Sequence, residues 1–139
     1  MLFPKKVKYR KWHTMRKHPS KRGVASRGTT VAFGSYGLKA TSHFRVRSNQ
    51  LESARKVLAR CAGKTGKFWL RVFPDMPFTQ KPAEVKLGKG KGDPVGYQVQ
   101  IKPGQVLFEI DGLEASLARE ALRKAGTKLP LKTKIIERV

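Results

Sequence analysis

Gly88-Lys89-Gly90-Lys91-Gly92 is where residue types and spacing come nearest to chemistry in this chain. Glycines let a backbone approach a phosphate closely, and alternating lysines add positive charge with little steric demand. A loop cradling a nucleoside triphosphate would need GxxxxGK followed by Ser or Thr, between a strand and a helix. Here Lys91 is followed by Gly92, and Pro94 comes soon after. The spacing speaks against nucleotide hydrolysis. It favours a loop that threads into a crowded polyanion over a bland flexible linker.

Other catalytic constellations are absent from the sequence. His13, His18 and His43 show neither HxxxH nor HExxH spacing, and no Gly-x-Ser-x-Gly elbow occurs. The nine carboxylates are scattered. Asp111 and Glu114 stand near the expected start of a helix, where its dipole favours them. Cys61 is the only cysteine, so no intrachain disulfide and no multi-cysteine zinc site can form. Its neighbours Leu58, Ala59 and Ala62 predict a small buried hydrophobe. The reading is of a protein that is not an enzyme, with no catalytic residues, no metal and no cofactor.

Charge identifies the partner class. The chain carries 31 basic against 9 acidic residues, a formal charge of +22 in 139 residues. The first 51 residues hold 13 Lys and Arg, and the first carboxylate is Glu52. Such a chain repels itself unless a polyanion supplies the missing charge. A membrane is the weakest choice, because no apolar run approaches the roughly 20 residues a spanning helix needs. Sequence-specific DNA binding lacks a zinc-finger, basic-zipper or helix-turn-helix pattern. The opening residues have the composition of an organellar presequence, but they are not serine-rich and Pro4 interrupts an early helix. They are read as a mature arm.

The elements that must carry these charges follow from periodicity. Residues 1–28 read as an extended basic arm, with Lys5, Lys6, Lys8, Arg10, Lys11, Arg16 and Arg22 interleaved with Tyr9 and Trp12. Such a segment buries too little to fold alone and is expected to order on its partner. Residues 29–139 read as a single α+β domain: a mixed or antiparallel sheet with two packed helices. A strand is expected over 29–33, then a glycine turn over 34–37. A helix is expected over 48–62, capped by Ser48 or Asn49 in a box with Glu52, with Leu51, Ala54, Leu58, Cys61 and Ala62 inward. The run 67–73 is apolar on both faces and predicts a central strand containing a core Trp69. Residues 74–94 read as a long loop carrying Lys81, Lys86, Lys89 and Lys91. A hairpin over 95–101 and 105–110 turns at Lys102-Pro103-Gly104. A second helix over 114–125, with Leu117, Ala118, Ala121, Leu122 and Ala125 inward, precedes a last strand over 131–136.

Eight ordered blocks are similar to one known family. They include Met1-Leu2-x-Pro4-Lys5, Tyr9-Arg10-Lys11, Phe33-Gly34-Ser35-Tyr36-Gly37-Leu38-Lys39-Ala40, and Gly66-Lys67-x-Trp69-x-Arg71-Val72-Phe73-Pro74-Asp75. Thr79-x-Lys81-Pro82, the glycine-lysine run 88–92, Pro103-Gly104-x-Val106-Leu107-Phe108-Glu109 and Leu129-Pro130-x-Lys132-Thr133 continue the match. The chain resembles the bacterial large-subunit ribosomal protein L16 family over essentially its full length. The resemblance implies a structural ribosomal component in the cytoplasm or in an organelle-encoded ribosome. It implies binding to large-subunit rRNA near the central protuberance and help in organising the aminoacyl-tRNA site. It also implies a part in late subunit assembly, beside neighbouring ribosomal proteins and without forming a homo-oligomer.

Carried over by position, the resemblance makes Lys5, Lys6, Lys8, Arg10 and Lys11 rRNA contacts; Arg16 and Arg22 extend that set. Arg55, Lys56 and Arg60 join them from the first helix. Lys81, Lys86, Gly88, Lys89, Gly90, Lys91 and Gly92 become the tRNA-proximal loop. Position 86 is Lys where some bacterial relatives carry an Arg that becomes hydroxylated, so that modification is not carried over. The match at Met1 argues against a long transit peptide. Two other readings compete: a free architectural DNA-binding module, and an RNA-modifying enzyme gripping phosphate with the glycine loop.

Overall fold

The computed structural model describes residues 2–13, 23–85, 88 and 90–139. The elements run β1 (Tyr36–Ala40), β2 (Phe44–Arg47), α1 (Ser48–Ala62), β3 (Lys67–Leu70), β4 (Met76–Gln80), β5 (Asp93–Ile101), β6 (Val106–Asp111), α2 (Ala115–Gly126) and β7 (Thr133–Glu137). One antiparallel sheet has the order β3-β6-β1-β7, and a second has the order β2-β5-β4. The α+β class stands, with every pairing antiparallel.

Helix α1 forms over its expected residues. Leu51, Ala54, Leu58 and Ala62 recur every three or four positions, and all are buried. The cap differs from expectation. Strand β2 runs directly into the helix, so Arg47 is the capping residue, and its N–H donates to Gln50 Oε1 at 2.9 Å. Glu52 instead accepts from Arg55 Nε at 3.0 Å. Cys61 lies one position off the buried stripe and is exposed. Leu117 is likewise exposed at 58%, on the margin of the stripe made by Ala118, Ala121, Leu122 and Ala125.

Residues paired across an antiparallel ladder share a face. Leu38 pairs with Phe108, Leu70 with Phe108, and Phe68 with Ile110. This face meets α1 and α2 in the main core with Leu51, Leu58 and Leu122. Trp69 and Gly37 both pair with Glu109, and Gly37 also pairs with Ile136, on the opposite face.

A strap made of residues 28–34 covers that outer face. Val106 N–H donates to the Gly28 carbonyl at 2.8 Å. Val31 is buried over Gly37, where a Cβ would come within 2.9 Å of the Val31 methyl. The strand expected over 29–33 is absent, and β1 begins three residues later, inside the expected glycine turn. The reason is that the amides of 32–34 turn toward a carboxylate, not toward a neighbouring strand.

Three further expectations change. The run 67–73 supplies an edge strand of four residues, not a central one, and Trp69 is half-buried. Its outer apolar face is satisfied by the strap. The expected hairpin over 95–110 does not form, because β5 and β6 belong to different sheets. At the crossing point Gly104 N–H donates to the Ala40 carbonyl at 2.7 Å, and Ala40 N–H donates to the Gln105 carbonyl at 2.9 Å. The next strand is therefore handed to β1. The stretch 74–94 is not all loop: Met76–Gln80 and Asp93–Ile101 pair as a hairpin, leaving 81–92 as its tip.

Candidate nucleic-acid interface

The described part of the arm is anchored to the domain at both ends. Leu2 packs against the core, and the Phe3 ring lies 5.5 Å from that of Tyr97 on β5. At the other end, Ala25 N–H donates to the Pro103 carbonyl at 2.9 Å. Between these anchors Lys5, Lys6, Lys8 and Arg10 are exposed. Lys8 Nζ stands 5.5 Å from the Tyr9 ring centroid.

Arm and loop meet in a reciprocal clasp. Lys11 Nζ donates to the Lys91 carbonyl at 3.2 Å, and Lys91 Nζ donates to the Trp12 carbonyl. Residues some 80 positions apart are thereby joined into one basic end of the molecule. Lys81 Nζ donates to the Gly88 carbonyl, closing the base of the loop on itself. Gly88 and Gly90 have φ of +101° and +95°, conformations that side chains rarely adopt. Gly92 is needed for a different reason: a Cβ there would stand 2.9 Å from the Gln80 carbonyl. Arg16, Arg22, Lys86 and Lys89 lie outside the described residues.

The helix residues divide. Arg55 is tied to Glu52, which holds that carboxyl below its usual range. Lys56 and Arg60 are exposed one turn apart. Arg60 also borders a groove between the helices, together with Val57, Cys61, Lys124, Thr127 and Lys128. Lys124 and Lys128 were not among the expected contacts. Only the docking of α2 on α1 brings them beside Arg60, although their place at the end of a helix was visible in the sequence. On the second sheet Arg47 stacks over the Phe78 ring, its guanidinium carbon 4.6 Å from the centroid.

Cations are not all available to a partner. Glu109 has a fully buried side chain. Its Oε1 accepts from the N–H groups of Ala32, Phe33 and Gly34 at 2.9, 2.7 and 2.9 Å. Its Oε2 pairs with Arg71. Burial would raise this carboxyl, but the Gly34 amide, the Arg71 guanidinium and the Phe33 amide outweigh it, and the pKa is lowered. Asp111 is lowered by its bond from Ser35 Oγ at 2.7 Å and by the Gly112 amide. Arg119 pairs with Glu137, and Arg123 with Glu120. Glu52, Glu109, Asp111, Glu120 and Glu137 are thus engaged within the molecule, while Lys5, Lys6, Lys8 and Arg10 of the arm and Lys56 and Arg60 of α1 stay exposed. Among the described residues no cluster could hold a metal ion, and no helix is long and apolar enough to cross a membrane.

The exposed cations of this surface suit phosphate contacts. Comparison with known proteins agrees in kind. The family described as "Ribosomal protein L16p/L10e" matches residues 4–136. The chain is 50% identical over its full length to the large ribosomal subunit protein uL16 of Afipia carboxidovorans, covering 98% of that protein. The uL16 proteins of Nitrobacter hamburgensis and Rhodopseudomonas palustris (strain BisB5) show the same 50% identity and 98% coverage.

Proposed function

We propose, because the chain belongs to the ribosomal protein L16p/L10e family, that it binds large-subunit rRNA near the central protuberance and helps organise the aminoacyl-tRNA site. Members of the family are ribosomal components and not enzymes, and the absence of any acid-base pair in this sequence accords with that. In this reading Lys5, Lys6, Lys8, Arg10 and Lys11, with Arg16 and Arg22, hold rRNA phosphates, and Arg55, Lys56 and Arg60 add contacts from α1. The loop residues Lys81, Lys86, Gly88, Lys89, Gly90, Lys91 and Gly92 approach tRNA. Neighbouring ribosomal proteins complete the surroundings of a single copy, which joins late in subunit assembly.

The observation that carries the reading is the clasp of Lys11, Trp12 and Lys91. It couples an arm suited to rRNA with a loop suited to tRNA, so fixing one positions the other. Affinity then comes chiefly from counterion release. With about eight phosphates neutralised, log K falls with log salt at a slope of roughly −7.

The test is ultraviolet crosslinking in cells with sequencing of the attached RNA. Crosslinks concentrated in a few large-subunit rRNA helices, with tRNA joined through residues 86–92, are the expected result. An even spread over messenger RNA would overturn the rRNA assignment. Crosslinks to rRNA alone would remove the tRNA contact.

A further inference from the structure

Phe33 sits at an unusual place. Its N–H is held by Glu109, which fixes the backbone of the strap beneath it. Its ring stacks on Trp69, with centroids 6.2 Å apart and planes 25° apart. The Arg71 guanidinium carbon lies 5.2 Å from the same ring centroid. Arg71 is itself pinned by Glu109 and by the Thr30 carbonyl. Both supports of the ring therefore come from the sheet side. The ring is nonetheless 56% exposed, so its outward face has no partner among the described residues.

A large apolar side chain held rigid and left uncovered is set up for an occupant, because little ordering cost remains when something lands on it. The surroundings select the occupant. Lys67, on the same sheet face as Trp69, is exposed. The two nearby carboxylates, Glu109 and Asp111, are engaged by internal donors. An exposed ring backed by a guanidinium, in a chain of charge +22, is the arrangement that stacks unpaired bases without regard to their identity.

We propose that the outward face of Phe33 is a stacking site for one unpaired base of large-subunit RNA. The site lies on the strap, apart from the arm, the loop and α1, and it rests on the reading that the chain binds that RNA. Phosphate contacts and base stacking respond differently to salt, which separates them. Each lost phosphate contact reduces the salt slope by about 0.9, whereas a lost stack lowers affinity and leaves the slope alone.

The experiment is equilibrium binding of the full chain to protein-free large-subunit rRNA across a salt series, with a control RNA of similar length. Phe33→Leu keeps apolar cover over Trp69, and circular dichroism confirms its fold. Its affinity should drop about tenfold with an unchanged slope, while Phe33→Trp should retain wild-type affinity. Wild-type affinity in Phe33→Leu would overturn the stacking site and leave the RNA-binding reading intact. Unchanged RNA affinity with poor incorporation into subunits would assign the ring to a protein neighbour and likewise overturn it. No preference of the wild type for large-subunit rRNA would remove the broader reading, and the site with it.

Discussion

Two regions use the same residue types for opposite purposes. Over the outer sheet face, Glu109 gathers three strap amides and Arg71 into one buried knot. Elsewhere, the described parts of the arm and the loop hold each other through lysine ammonium groups on backbone carbonyls. In the knot a cation meets a carboxylate, and its charge is cancelled inside the molecule. In the clasp the cations meet neutral oxygens, and their charge survives. A chain with so few acids places one of them where it organises folding and leaves most of its cations unneutralised for the partner.

The comparison breaks first at Glu109. Glu109→Ala leaves three amides and a guanidinium without their acceptor, and breaking such a buried pair from one side costs about 3–5 kcal/mol. Urea unfolding should show the loss as a lower midpoint. A wild-type midpoint would mean that the strap does not depend on the knot.

Next comes the close approach of strap to sheet. A Cβ at Gly34 would stand 2.6 Å from the Ile110 carbonyl, so Gly34→Ala should destabilise by about 1–3 kcal/mol. Loss of Phe33–Trp69 contact, read from Trp69 fluorescence, would accompany it. Gly90→Ala, by contrast, meets open space and is strained only by its φ of +95°. It should cost about 1–2 kcal/mol in unfolding, from the backbone alone.

Acid sharpens the same contrast. The Glu109 carboxyl is held below its ordinary value in the folded chain. Its contribution is therefore fully present above the unfolded value of about 4.3 and is lost as pH falls through the lowered folded one. Unfolding measured across that window should show a steeper acid loss in wild type than in Glu109→Gln. Equal acid profiles would place the loss on other carboxylates.

The smallest effect on stability, and the clearest on binding, belongs to the clasp. Lys91→Ala should change unfolding by within about 0.5 kcal/mol. It should also reduce the salt slope of rRNA or tRNA binding by about 0.9 if that ammonium meets a phosphate. An unchanged slope together with faster amide exchange at residues 9–13 would make the clasp purely structural.

Much of the fold was legible locally. The limits of α1 follow from a strong 3.6-residue stripe and from Gly63, whose φ of +58° ends the helix. What failed is instructive. Strand 29–33 had the right β-branched residues, yet its Ala32 and Phe33 amides serve a carboxylate 77 and 76 residues away. Trp69 lies on an edge strand, and its outward ring is covered by Phe33 of the strap. Cys61 and Leu117 each miss burial by one helical position, a margin that depends on which neighbour docks. Of the expected interface, the arm and loop lysines were visible as composition, while their joining through Lys11 and Lys91 was not. Lys124 and Lys128 became neighbours of Arg60 only when the helices packed.

The sequence alone determined the partner class, the two helices and the family, because charge, periodicity and ordered motifs are local or additive properties. Tertiary structure decided which cations are spent and which remain. Neutralisation requires a carboxylate within a few ångströms, and only the folded chain brings Glu109 to Arg71 while holding Lys11 and Lys91 to carbonyls that leave their charge in place.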